Sequence, residues 1–115
     1  MSPTSLFDWT IYRHMFDTQA MAEIFNENGT AEAWVAVEKA VARTQGTLGI
    51  IPEDAADAIC IHLSADKLDL ELLHRDTVDV GRPVAGLAKQ LATQVDAAHA
   101  MWVHYGITTY DIMDT

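Results

Sequence analysis

Apolar residues recur along this chain at every third or fourth position, which is the spacing of one face of an α-helix. The longest such run predicts a helix from Ala31 to about Leu48, with Thr30 as its N-cap and Gly49 at its end. Its apolar stripe comprises Trp34, Val37, Val41 and Leu48. Glu38 lies beside that stripe, and we expect it to be a solvated flank, because a buried acid would need a partner.

The same spacing, together with cap residues, predicts four shorter helices. They begin, in chain order, at Asp17 or Thr18, at Pro52, at Ser64 or Asp66, and at Pro83. Asn28-Gly29 should end the first of these, and the last should continue to about Ala100. The third should fade over residues 76–80, before a break at Gly81-Arg82-Pro83. Their apolar faces are Met21, Ile24 and Phe25; Ala55, Ile59, Cys60 and Leu63; Leu68, Leu72 and Leu73; and Val84, Leu87, Leu91, Val95 and Ala98.

No segment alternates as a strand would, so the pattern predicts an all-α fold of about five helices in one domain, residues 1–115. An irregular arm over residues 1–16 precedes the helices, and its aromatic side chains are expected to pack against a larger surface.

Charge and composition exclude several classes of function. The chain carries 17 acidic and 7 basic residues, a net charge of −10, which fits neither nucleic acid nor an acidic membrane surface. The single Cys60 cannot form an internal disulfide, which favours a reducing compartment. There is no apolar run of ~18 residues and no signal-peptide pattern. We therefore expect a cytoplasmic protein.

Five histidines invite a search for a metal site. They are His14, His62, His74, His99 and His104. None forms the i, i+4 pair of a helical zinc motif, and there is no cysteine pair, so no metal site is predicted.

The last segment of the chain combines several groups suited to chemistry. Thr108-Thr109, followed by Asp111, predicts a helix start, where free N–H groups and the helix dipole favour an anion. His104 adds a group that titrates near neutral pH, and Gly106 allows close backbone approach. The spacing alone leaves two interpretations open: a carboxylate or phosphate site, or an ordinary capped helix beside a packed histidine.

The chain's last residues resemble the first signature region of the fumarase/aspartase (fumarate lyase) superfamily, V-H-x-G-x-T-[ST]-x-D-x-x-D-T; they are VHYGITTYDIMDT. Three upstream stretches are similar to the N-terminal part of 3-carboxy-cis,cis-muconate cycloisomerases and their adenylosuccinate-lyase-like relatives. These are LFDWTIYRHMFDTQAMAEIFNENG, AWVAVEKAVARTQGTLGIIP and VGRPVAGLAKQL. The resemblance covers nearly the whole chain.

The resemblance implies that His104, Thr108 and Thr109 line an active site and hold a substrate carboxylate, with His104 as a candidate catalytic residue. Thr109 stands where Ser is usual and keeps the hydroxyl. Asp111 and Asp114 are implied to order the helix start rather than to touch substrate.

Three departures from the family's patterns bear on the substrate. Met15-Phe16 replaces the Arg-Tyr with which adenylosuccinate lyases bind a nucleotide phosphate. Arg82 stands where those lyases carry a catalytic histidine and cycloisomerases tend to have Asn. Both departures argue against a purine nucleotide. Arg82 is a candidate clamp for a second carboxylate, or else a surface residue at a helix start. Tyr110 replaces a common Gln and would reshape the pocket wall.

The resemblance further implies cofactor-free addition or elimination on a small polycarboxylate through an aci-carboxylate intermediate. The catalytic base of relatives, a Ser on a Gly-Ser-Ser-x-Met-Pro loop, and their second signature are not in this sequence, and their sites combine three subunits of a homotetramer. We therefore expect the N-terminal part of a longer enzyme, nearest the cycloisomerases and inactive alone. Two alternatives remain: a C–N lyase releasing fumarate from a succinyl-amine, and a non-catalytic helical interaction module.

Overall fold

The structure, a computed structural model, describes residues 4–115, so the first three residues of the predicted arm lie outside it. Within that range the chain is built of α-helices and short 3-10 helices without a strand, which confirms the all-α prediction. No helix between residues 4 and 115 combines the length and apolarity that crossing a bilayer requires. The chain divides into two compact units, Met1–Thr30 and Ala31–Thr115, which are described separately.

The first unit contains two 3-10 helices, Leu6–Asp8 and Thr10–Tyr12, and helix α1, Gln19–Ile24. Thr18 caps α1 as predicted, its Oγ1 accepting from the N–H of Met21 at 3.3 Å. Most large apolar side chains of this unit are exposed; they are Leu6, Phe7, Trp9, Ile11, Tyr12, Met15, Phe16, Met21, Ile24 and Phe25.

Helix α2, Glu27–Thr47, begins earlier than the sequence pattern predicts. The Asn26 side chain accepts from the N–H of Gly29 at 2.8 Å and so serves as an N-cap. Thr30 lies inside the helix, where its hydroxyl donates to the Asn26 carbonyl at 2.9 Å. The predictions that Thr30 caps this helix and that Asn28-Gly29 ends the preceding one are therefore wrong, because Asn26 offers a stronger cap upstream.

The end of α2 follows the sequence prediction. Gly49 takes the left-handed conformation, φ 68°, which costs glycine little. The N–H of Ile50 donates to the Gln45 carbonyl at 2.8 Å, and that of Gly49 donates to the Gly46 carbonyl at 3.1 Å. These two bonds are the Schellman pattern that satisfies the last carbonyls of a helix.

The remaining elements follow from Glu53 onward, beginning with helix α3. They are α3 (Glu53–His62), a 3-10 helix (Ala65–Lys67), α4 (Leu70–Val80), α5 (Val84–Ala92), α6 (Ala97–Ala100) and α7 (Thr109–Met113). With α1 and α2 these make seven α-helices in the described range, more than the five expected.

Two boundaries in this part differ from the predicted ones. Asp69, not Ser64 or Asp66, caps α4, its Oδ1 accepting from the N–H of Leu72 at 3.0 Å. The end of α4 agrees with the prediction, since the helix stops at Val80 and Gly81 follows it in the left-handed conformation, φ 85°. The predicted fifth helix is broken into α5 and α6.

The core of the second unit is formed around α5, which packs against α4 and α7. Its fully buried side chains are Val84, Leu87 and Leu91 of α5, with Ile59 of α3, Leu63 just after that helix, and Ile112 of α7. The predicted faces of α3 and α5 are largely confirmed. Ala98, however, is exposed, because α6 no longer continues the direction of α5.

Gln90 of α5 and Gln94, two residues beyond the end of that helix, hold the segment that joins α3 to α4. Gln90, 9% exposed, accepts from the Asp69 N–H at 2.8 Å and donates to the Asp69 carbonyl at 3.0 Å. Gln94 makes the same pair of bonds with Ser64, at 2.7 and 3.1 Å. Each amide thus bonds to both backbone polar groups of a residue outside the α-helices, and the Asp69 carbonyl also accepts from the N–H of Leu73 in the first turn of α4.

Small side chains decide which face of α2 turns inward. Its buried residues are Ala31, Val35, Glu38 and Ala42. Trp34 and Val37 are only partly buried, and Leu48 is 68% exposed, so the predicted stripe is the edge of the packed face. Close approach explains the rotation: a Cβ on Gly46 would lie 2.5 Å from the Cβ of Ala56 on α3.

This contact can be tested with a double-mutant cycle. Gly46→Ala should lower the free energy of unfolding by about 1–2 kcal/mol, because overpacking outweighs the gain in helix propensity. Ala56→Gly removes the opposing methyl, so the double variant should lose less than the sum of the two single variants. Urea unfolding followed by circular dichroism measures all four proteins. If the losses in the free energy of unfolding were strictly additive, positions 46 and 56 would not be in contact.

Candidate functional site

A buried acid and a histidine meet at the centre of the candidate site. Glu38 of α2 is 2% exposed, and its Oε1 lies 2.5 Å from Nδ1 of His104. The His104 side chain is 19% exposed. The prediction that Glu38 is a solvated flank is wrong, because α2 packs through its alanine face and carries Glu38 inward with it. The partner lies 66 residues further along the chain, so no local pattern could reveal it.

The turn that carries His104 is held in an unusual backbone conformation. His104 has a φ of 59°, a region that residues other than glycine seldom adopt. Gly106, with a φ of 71°, is better suited to it. Gln45 Nε2 donates to the Tyr105 carbonyl at 2.7 Å, and the Tyr105 and Trp102 rings pack edge to face with centroids 5.0 Å apart. Two contacts with α2, one to the His104 ring and one to the Tyr105 carbonyl, therefore fix the direction of the imidazole.

The surroundings of His104 favour its charged form. Its pKa is raised from the ordinary 6.5, first by the hydrogen bond to Glu38 and then by Coulomb attraction to Glu38 and Asp111; burial acts in the opposite direction. The imidazolium donates one N–H to Glu38 and keeps the other for a second acceptor. Below that raised pKa the ring is a cation with one N–H left to donate.

Helix α7 begins five residues after His104, where the sequence predicts a helix start. Thr108 and Asp111 form a capping box, with the Thr108 N–H donating to Asp111 Oδ2 at 2.8 Å. Fully buried Ile112 anchors the helix to the core. Thr108 is exposed and Thr109 half-buried, so both lie near the surface beside the histidine turn. The prediction that Asp111 orders the helix start is confirmed.

Arg82 makes no direct bond to His104, Thr108 or Thr109 among the described residues. It is exposed, between Gly81 and the start of α5. Within residues 4–115 it makes no hydrogen bond or ion pair, so its guanidinium is not committed to a structural partner there. Helix α5, which begins two residues after Arg82, packs against α7. Carboxylate binding by Arg82 stays a prediction.

The other acid–histidine contacts in the described range are more exposed. His99 Nε2 lies 3.5 Å from Asp54 Oδ2, and His14 Nδ1 lies 3.6 Å from Asp17 Oδ1. Both of those acids are at least half exposed, unlike Glu38. Between residues 4 and 115, no three His, Cys, Asp or Glu side chains are grouped as a metal site would require.

Known proteins similar to this chain were found by sequence and by structure, although no protein-family model matches it. The crystal structure of β-carboxy-cis,cis-muconate cycloisomerase from Acinetobacter calcoaceticus sp. ADP1 superposes with a TM-score of 0.85 and 32% identity, over 90% of this chain and 25% of that one. Fumarate lyase from Mesorhizobium sp. BNC1 gives a TM-score of 0.73 and 38% identity, over 86% and 23%. N-acetyl-S-(2-succino)cysteine lyase from Dickeya dadantii is 33% identical over 110 residues, 96% of this chain and 24% of that protein. The chain thus spans about a quarter of the length of these relatives.

The Glu38–His104 pair makes a prediction about the pH dependence of stability. The pKa of folded His104 lies above 6.5. The contribution of the pair to the free energy of unfolding is therefore complete below pH 6.5, and it is lost as the pH rises through the pKa of the folded state. His104→Gln should therefore cost more stability at about pH 6 than at about pH 9. Urea unfolding at both pH values measures the difference. His74→Gln, at an exposed histidine of α4, is the control; a His104→Gln cost that does not change with pH would contradict the pairing.

Proposed function

The chain belongs to the fumarate lyase superfamily, and on that premise we propose that it is the N-terminal part of a cofactor-free enzyme acting on a small polycarboxylate. The reaction is addition or elimination through an aci-carboxylate intermediate, as the resemblance to this superfamily implies. The single observation that carries the proposal is the buried Glu38–His104 pair, five residues before the capped start of α7.

The pair supports carboxylate binding on physical grounds. A buried acid that faces a histidine favours the imidazolium, and its remaining N–H is a charged donor. The hydroxyls of Thr108 and Thr109 follow on the same segment and supply neutral donors. Together these groups would stabilise the extra negative charge that a substrate carboxylate gains in an aci-carboxylate. Donors that are fixed before the reaction stabilise such charge most effectively, because they need not reorganise.

Arg82 is proposed to bind a second carboxylate of the substrate. Its guanidinium can donate two parallel hydrogen bonds, which match the two oxygens of a carboxylate. An exposed arginine without a structural partner in the described residues is available for this purpose. A substrate with at least two carboxylates would then be held at both ends, which orients it for the reaction.

Catalysis is proposed to need more than these 115 residues. The general base that the resemblance implies, a serine on a mobile loop, belongs to a part of the relatives that this chain does not cover. The same holds for the helices through which a homotetramer would bring three subunits to each site. We therefore expect the isolated chain to show no turnover.

The cycloisomerase reaction is favoured over a C–N lyase reaction. The match to a carboxymuconate cycloisomerase with a TM-score of 0.85 supports it. Met15 and Phe16 cannot bind a nucleotide phosphate, which argues against a purine substrate. The alternative, release of fumarate from a succinyl-amine, draws on the similarity to a lyase named for a succino compound, in which the succino group is carried by sulfur and not by nitrogen.

An assay of the longer protein that contains this chain separates the two reactions. We expect lactone formation from 3-carboxy-cis,cis-muconate and no fumarate absorbance with a panel of succinyl-amines. Fumarate release without lactone would establish the C–N lyase instead. Turnover with neither substrate class would leave the non-catalytic helical module as the function.

A substitution tests the site within the same assay. His104→Gln should lower kcat/KM by roughly 10–100-fold, the loss expected for one charged hydrogen bond to the substrate. His74→Gln lies on an exposed helix face and should leave kcat/KM unchanged. Equal activity of the two variants would remove His104 from the site.

A further inference from the structure

We propose that Glu38 is a positioning residue, which holds His104 as an imidazolium with its Nε2–H available to a substrate carboxylate. His104 then acts as a fixed cation and hydrogen-bond donor, not as a general base. The inference rests on the proposed function for the identity of the ligand, a carboxylate. The state of the imidazole can be measured without any turnover.

The burial of Glu38 is the first step of the argument. It is 2% exposed and shares its helix face with Ala31, Val35 and Ala42, which offer it no polar contact. A carboxylate in such surroundings is costly unless a cation or donor faces it. Among the described residues that partner is His104, at 2.5 Å. An apolar residue would pack there more simply, so the acid calls for an explanation beyond packing.

The geometry of the imidazole is the second step. Glu38 accepts at Nδ1, which leaves Nε2 as the nitrogen that can meet a ligand. Nε2 has no hydrogen-bond partner within residues 4–115, yet it is not among the buried polar atoms that lack one, so it reaches the surface. A carboxylate on one ring nitrogen that fixes the direction of the other is the arrangement by which proteins orient functional histidines.

The backbone restricts His104 further. Its left-handed conformation is costly for a residue with a Cβ, and such strain persists only where surrounding contacts impose it. Gln45 imposes it on one side by holding the Tyr105 carbonyl. Glu38 and Gln45 lie seven residues apart on α2, two helical turns, so one helix fixes both the ring and the turn.

The charges around His104 are the last step. Those that act on it are Glu38 from α2 and Asp111 from α7, and both are acids. Each stabilises the imidazolium, which has no lone pair with which to abstract a proton. A histidine in these surroundings is therefore a poor base and a good donor to a carboxylate.

NMR of the ring nitrogens in the 115-residue chain tests the proposal. Wild-type His104 should titrate above 6.5 and, once neutral, carry its proton on Nδ1. Glu38→Gln should lower the His104 pKa and abolish the preference for that tautomer. Glu32→Gln removes an exposed acid from the same helix and is the matched control, which should change neither property. If Glu38→Gln does not fold, the wild-type titration still decides, because an ordinary pKa or an Nε2–H tautomer would overturn the proposal.

Kinetics of the longer protein distinguish positioning from a structural role. Glu38→Gln should raise KM for the carboxylate substrate and move the alkaline limb of kcat/KM to lower pH, since the imidazolium is lost earlier. A purely structural role would reduce the amount of active protein without moving that limb, and would overturn the proposal. Absence of turnover with every substrate would instead refute the proposed function, leaving the NMR result to decide the role of Glu38.

Discussion

The candidate site depends on one buried contact, the pairing of Glu38 with His104. A carboxylate with 2% exposure is tolerated only beside a donor that neutralises it, and an imidazolium beside it is stabilised in turn. Each residue therefore accounts for the state of the other. The contact also ties α2 to the turn before α7, so that the histidine, the capped helix start and the core helix are positioned together.

That contact exists because of how closely α2 can pack. Gly46 and Ala56 leave no room for another methyl between α2 and α3, and the alanine face of α2 turns inward as a result. A Cβ at Gly46 would lie 2.5 Å from the Cβ of Ala56, so a larger residue there would push the two helices apart. This packing constraint lies about two helical turns from Glu38 on the same helix.

Membership of the fumarate lyase superfamily gives these features a chemical context. In the proposed function the groups on this chain bind carboxylates: a histidine paired with an acid, two threonine hydroxyls at a helix start, and an arginine just before α5 that has no partner among residues 4–115. None is suited to serve as a base, since His104 is held toward its protonated form. This division agrees with the proposal that the chain supplies binding and orientation, and that proton abstraction comes from a part of the enzyme beyond the quarter that this chain spans.

The sequence by itself determined the helical class, the helix ends at Gly49 and Gly81, and the capped start of α7, because each follows from the nature and spacing of nearby residues. It also singled out His104, Thr108 and Thr109. Only the tertiary structure decided which face of α2 is buried, and with it the burial of Glu38. The sequence pattern likewise did not predict the hydrogen bonds that Gln90 and Gln94 make to Asp69 and Ser64, or the break between α5 and α6. The physical reason is common to all three: they depend on contacts between residues distant in the chain, whereas helix spacing and capping depend on neighbours a few residues away.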